Sequence, residues 1–146
     1  MAEVGAEFDA MMRANADLHR ALLTVGEAIA AAAGQSHARS MCLRQIAQEP
    51  LSVAAIASRL GMTRQSVQRV ADLLVADGLA GYAENPRHRR AQLLTLTAQG
   101  SQALRLMGEK HQQWVRRAAD RLEGAGLTDL TKQLSAIREA IQQIET

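Results

Sequence analysis

The sequence predicts a mainly α-helical fold carrying one small β-hairpin, and three observations point there. Alanine supplies 28 residues while only Phe8, Tyr82 and Trp114 are aromatic, a composition that favours helix and argues against a sandwich or barrel. Only two prolines interrupt the chain, Pro50 and Pro86. Apolar residues recur in steps of three and four over long stretches at both ends. At 146 residues there is room for one domain with a dimerisation extension, and not for two independent cores.

The first predicted element is a helix from about Ala6 to Ala33, with Phe8, Met11, Leu18, Leu22, Val25 and Ile29 as its apolar stripe and Gly34 as its stop. A shorter helix spans about His37 to Gln48 and is closed by Pro50. Ser52 then N-caps a short helix ending at Leu60, and Gly61 interrupts it. Thr63 N-caps a second helix over Arg64–Ala76, which Asp77-Gly78 stops. A short helix, a tight glycine-containing turn and a longer helix make a helix-turn-helix. Residues 79–84 and 91–96 read as strands flanking the basic, turn-forming Asn85-Pro86-Arg87-His88-Arg89-Arg90, a hairpin wing over about 79–96. Thr97 N-caps a long helix to about Glu123, and Gly124-Ala125-Gly126 breaks it. The last helix carries Leu127, Leu130, Leu134, Ile137, Ile141 and Ile144 in alternating steps of three and four. With so few aromatics to fill a core, the stripes at both ends predict burial against a second copy, a homodimer. The domain organisation expected is a winged helix-turn-helix over 37–100, with 1–36 and 101–146 forming a helical dimerisation region.

Charge is unevenly distributed. Residues 1–50 carry four Lys/Arg against six Asp/Glu, residues 51–105 seven against three, and residues 106–146 six against six. A basic middle between acidic and neutral ends suits a nucleic-acid-binding module set in a helical scaffold. The helix over 64–76 divides by face: Val67, Val70, Ala71 and Leu74 on one side, and Gln65, Gln68, Arg69 and Asp72 on the other, with Arg64 and Ser66 flanking. Arginine pairs with guanine O6/N7 and glutamine with adenine N6/N7, and a helix in the major groove reads with its first turns. Three arginines on the neighbouring wing suit phosphate contacts or a narrow minor groove. The residues expected to contact double-stranded DNA are therefore Ser52, Thr63, Arg64, Gln65, Ser66, Gln68, Arg69, Arg87, His88, Arg89 and Arg90.

Other classes have little support. The sequence has no Gly-x-Ser-x-Gly, no phosphate-binding glycine loop and no His-x-x-x-His pair, so no enzyme is predicted. His19, His37, His88 and His111 lack metal-ligand spacing and one cysteine cannot build a zinc site, so no metal or cofactor is expected. The chain has no apolar run of about 18 residues and begins with Glu3 and Glu7, not a basic signal segment, which predicts a cytoplasmic protein without a membrane partner. The rival is a winged-helix module for protein–protein contact, which would have no need of the coincident Arg64, Gln65, Gln68, Arg69 and Arg87–Arg90.

From Leu51 to about Ala103 the sequence resembles the MarR family of bacterial winged-helix transcription regulators. The resemblance rests on residues 51–70, on Leu74…Gly78-Leu79, on Asn85-Pro86-Arg87-His88-Arg89-Arg90-Ala91, and above all on Leu94-Thr95-Leu96-Thr97-Ala98-Gln99-Gly100. It implies a homodimer whose recognition helices enter successive major grooves of a pseudo-palindromic operator while the wings touch flanking minor grooves. It also implies gene regulation, usually repression, relieved by a small ligand or by cysteine oxidation. In the family an acidic residue commonly precedes the wing Arg pair; here His88 stands there, after Arg87. Cys42 lies outside the first helix, where the oxidation-sensing branch keeps its cysteine, and reads as a small buried hydrophobe. By the same resemblance, a small-molecule effector would meet His19, Arg20, Met41, His111 and Trp114, between the dimer helices and the winged domain.

Overall fold

A computed structural model describes residues 2–86, 88 and 90–144. Its helices are α1 (Ala2–Ala31), α2 (His37–Gln45), α3 (Val53–Leu60), α4 (Arg64–Ala76), α5 (Ala98–Leu122) and α6 (Leu127–Ile144), with strands β1 (Leu51–Ser52), β2 (Ala80–Ala83) and β3 (Leu93–Leu96). The strands form one antiparallel sheet in the order β1-β3-β2. The expected class, mainly α with a winged helix-turn-helix, is the one observed.

The chain divides into two compact units, residues 1–110 and 111–146. The first holds the core. Ile29 and Ala30 of α1, Leu43 and Ile46 around the end of α2, Ile56 of α3, and Val67, Ala71 and Leu74 of α4 are buried together with Leu94, Ala103 and Met107. Arg39 of α2 pairs with Asp77, which caps the C-terminus of α4. The second unit contains the distal part of α5 and all of α6, joined through Gly124 and Gly126, both at positive φ. Trp114, Ala118 and Ile137 are half-buried there, and α6 has no fully buried residue.

Local chemistry accounts for the helix-turn-helix. Ser52 Oγ accepts the Ala55 amide at 3.2 Å, capping α3. Gly61 ends α3 in the left-handed region at φ 62°, ψ 31°, where a Cβ would be strained, and Met62 N closes back on Ala57 O at 3.0 Å. Thr63 then caps α4, whose bounds agree with the predicted ones.

Boundaries differ in several places, beginning with α1, which runs Ala2–Ala31 where about Ala6 to Ala33 is expected. The second helix stops at Gln45, three residues before the expected Gln48, because Ile46 leaves the helical conformation (φ −95°, ψ 6°) with its side chain 2% exposed in the core. The wing strands are shorter than 79–84 and 91–96. Leu51-Ser52, expected only as the approach to a helix, is a third strand with Leu51 opposite Leu94. Two residues carry no periodicity, so only tertiary pairing reveals it.

The junction of wing and α5 is tightly built. Thr97 Oγ1 donates to Gly78 O at 2.8 Å and accepts the Gly100 amide at 3.0 Å, while Thr97 N donates to Leu79 O at 3.3 Å. A Cβ at Gly100 would lie 2.0 Å from the Leu79 carbonyl oxygen. The backbones approach too closely there for any side chain, which gives Leu-Thr-Leu-Thr-x-x-Gly its physical meaning.

Candidate nucleic-acid interface

Helix α4 presents one polar face because its apolar face is spent on the core. Val67, Ala71 and Leu74 are all at most 1% exposed, while Arg64, Gln65, Ser66, Gln68 and Arg69 face solvent. Thr63 Oγ1 accepts the Ser66 amide at 3.1 Å and lies 2.8 Å from Ser66 Oγ. Ser52 and Thr63 therefore cap helix starts, and Ser66 is held by the Thr63 cap, in addition to the DNA contact expected of each. Among the described residues, the side chains of Arg64, Gln65 and Arg69 have no hydrogen-bond or ion-pair partner.

Gln68 is different. Its Nε2 donates to Asp72 Oδ1 at 2.8 Å and to the Tyr82 hydroxyl at 2.8 Å, and that hydroxyl donates to the same Oδ1 at 2.7 Å. This triangle ties α4 to β2 of the wing. The Tyr82 pKa is pushed up from 10.0 to about 12, first by burial and then by the hydrogen bond to Asp72 and its charge, so the hydroxyl stays protonated at neutral pH. In the sequence Asp72 falls on the outward face of α4 with no evident task, and Tyr82 falls in the wing. The Gln68–Asp72 spacing of one helical turn was a readable signal; the partner from β2 was not.

The wing sheet pairs Tyr82 with Leu94 and Ala80 with Leu96. At its tip, His88 N donates to Asn85 O at 3.2 Å and Ala91 N to His88 O at 3.0 Å, so the exposed His88 sits on a closed turn. Arg87 and Arg89, two of the expected contacts, lie outside the described residues. Arg90 is described and exposed. An open groove of about 590 Å³ runs between α4, the start of α3 and the wing, and Ser52, Arg64, Gln65, Gln68, Tyr82 and Arg90 are among its lining residues. Of the expected contacts, the groove brings together Ser52, Arg64, Gln65, Gln68 and Arg90, while Thr63, Ser66, Arg69 and His88 are not among its lining residues.

The five residues expected at an effector site fall in separate units. His19, Arg20 and Met41 belong to the first. His19 is exposed, Arg20 forms an exposed ion pair with Asp17 one turn earlier, and Met41 is half-buried in α2. His111 and Trp114 belong to the second, their ring centroids 6.4 Å apart. Cys42 is buried at 1% exposure, and burial pushes its thiol from 9.0 up to about 11. No described helix is long and apolar enough to cross a membrane.

Comparison with known proteins bears on the family and the fold. The MarR family pattern matches residues 33–91, from the α1–α2 connection to the wing. The crystal structure of MarR family transcription regulator SP03579 has a TM-score of 0.87 at 17% identity, covering 99% of this chain and 96% of that one. The chain belongs to the MarR family. Among its relatives in sequence, the uncharacterized protein Rv2011c of Mycobacterium tuberculosis is 42% identical over 102 residues, 70% of this MarR chain and 71% of that protein. Sco3205, a MarR family transcriptional regulator from Streptomyces coelicolor solved in complex with DNA, has a TM-score of 0.79 at 23% identity over 94% of this chain and 89% of that one. The MarR fold and family are those of transcription regulators.

Proposed function

We propose that this chain is a sequence-specific double-stranded-DNA-binding regulator that acts as a homodimer on a pseudo-palindromic operator, as a repressor whose grip is modulated by a small-molecule effector. The observation that carries the DNA-binding part is the shared groove: Arg64, Gln65 and Gln68 of α4 face the same concavity as Arg90 of the wing. Helix residues of these types suit base edges, and wing arginines suit phosphates. The DNA complex of Sco3205, a protein of the same fold, supports the reading. In this scheme residues 37–100 bind DNA, and 1–36 with 101–146 hold the two copies together. The family resemblance is what supports repression and an effector, and no catalytic role is assigned.

Titration of the intact chain against the duplex flanking its own gene and a scrambled duplex of equal length, each at several salt concentrations, tests the proposal. Operator binding on the order of a thousandfold tighter than scrambled binding is expected, both weakening with salt. Equal affinities at every salt concentration would overturn it and leave the fold to a protein-binding role.

A further inference from the structure

The Gln68–Asp72–Tyr82 triangle has a consequence for which bases are read. A carboxylate only accepts hydrogen bonds, so Asp72 Oδ1, 2.8 Å from the Gln68 amide, admits the nitrogen of that amide and rejects its oxygen. The Tyr82 hydroxyl gives its own proton to Asp72 at 2.7 Å and so receives from Gln68 at 2.8 Å, which excludes the flipped amide a second time. Gln68 Oε1 is thereby turned away from the triangle, as a free acceptor on the exposed face of α4.

We propose that Asp72 and Tyr82 are specificity-determining positioning residues, which hold the Gln68 amide in one orientation and make it a reader of exocyclic amines. In the major groove only adenine N6 and cytosine N4 offer such a donor, whereas guanine O6 and thymine O4 are acceptors. On the strand it reaches, Gln68 then favours adenine or cytosine over guanine or thymine. A glutamine without this constraint turns its amide either way and serves all four. The inference rests on the DNA-binding reading above. It also revises the expectation of a simple adenine reader, since the nitrogen needed for adenine N7 is drawn toward Asp72 and Tyr82.

The experiment compares the full-length parent with Asp72→Asn, Tyr82→Phe and Gln68→Ala on operators carrying each of the four base pairs at every half-site position. Gln68→Ala identifies the position that loses its preference. There the parent should favour amine-bearing bases by about two- to tenfold per half-site, the worth of one hydrogen bond. Asp72→Asn, isosteric but able to donate as well as accept, should flatten that position alone. Loss of its negative charge strengthens binding to every duplex equally and cancels in the ratio. Tyr82→Phe should reduce the preference less, because Asp72 still orients the nitrogen. Both variants should melt like the parent, since Asp72 is exposed and the Tyr82 ring is kept. A sequence-specific parent whose base preference is unchanged in both variants overturns this inference and leaves DNA binding standing. A parent that treats every duplex alike overturns the DNA-binding reading, and this inference with it.

Discussion

Under the proposed function, base reading and phosphate anchoring are expected to separate at single residues. Arg69 is exposed on α4 with no partner among the described residues, free to reach a base edge, whereas Arg90 stands on the wing. Arg69→Ala should lower affinity for the operator far more than for random DNA, by about 1–3 kcal/mol per half-site and about 2–6 kcal/mol per dimer. Arg89→Ala or Arg90→Ala should weaken both duplexes and make the log–log salt slope shallower, by near 0.9 per phosphate released. Paired titrations over salt measure both, and equal losses on the two duplexes for Arg69→Ala would remove the helix from base reading. Cys42 belongs to the same scale. With its thiol raised to about 11, almost none is thiolate at neutral pH, so peroxide should not release the protein from DNA. Cys42→Ser should bind like the parent; peroxide-driven release that the mutant abolishes would show a redox switch. The linkage has a definite sign. The folded chain holds the Cys42 proton above pH 9, where an unfolded chain loses it, so this contribution to stability is intact below pH 9 and lost as pH rises through about 11.

Helix α5 offers a test at the scale of the element, because it contains two glycines in opposite surroundings. Gly100 is buried, and a Cβ there would meet Leu79 O at 2.0 Å. Gly108, two turns on, has nothing within 4 Å of an added Cβ. Gly100→Ala forces the Leu79 backbone and α5 apart and should cost about 1–3 kcal/mol or more, as overpacked sites do. Gly108→Ala removes backbone freedom from the unfolded chain and should stabilise by about 0.5–1 kcal/mol. Chemical denaturation of both variants gives the two signs side by side. A neutral Gly100→Ala would mean that the wing-to-helix junction yields easily. The Thr63 cap works at the same scale: Thr63→Ala leaves the Ser66 amide without its acceptor and should cost about 1 kcal/mol, with DNA affinity falling as the first turn of α4 frays.

For the whole molecule, the large apolar residues left in the open are the clearest guide. Phe8, Met12, Leu18 and Leu22 are exposed along α1, and Leu127, Leu130, Leu134, Ile141 and Ile144 along α6. So many exposed apolar side chains on two long helices exceed what a soluble monomer ordinarily presents. Light scattering at micromolar concentration should give a particle of twice the 15.8 kDa chain mass, and a particle of the single-chain mass would overturn the homodimer. Deleting residues 127–146 should yield soluble aggregates or unfolded chain, because the apolar positions that α6 would cover in the proposed dimer lose their cover.

Much of this protein is legible along the chain because the governing forces are local. Caps at Ser52 and Thr63, the Gly61 turn, the full extent of α4 and the split of its faces follow from short-range hydrogen bonding and a period of 3.6 residues. The class of fold, the helix-turn-helix and the residues expected to meet DNA needed nothing more. Other features depend on residues far apart in sequence. Leu51-Ser52 becomes a strand only because β3 returns beside it. Ile46 ends α2 early because the core claims its side chain. Gly100 is required by a carbonyl 21 positions earlier, and Gln68 is oriented by a hydroxyl from the wing. Periodicity and capping act within a turn or two of helix, so composition and spacing determine them. Strand pairing, close backbone approach and a shared hydrogen-bond triangle arise only when folding brings distant segments together, and tertiary structure alone decides them.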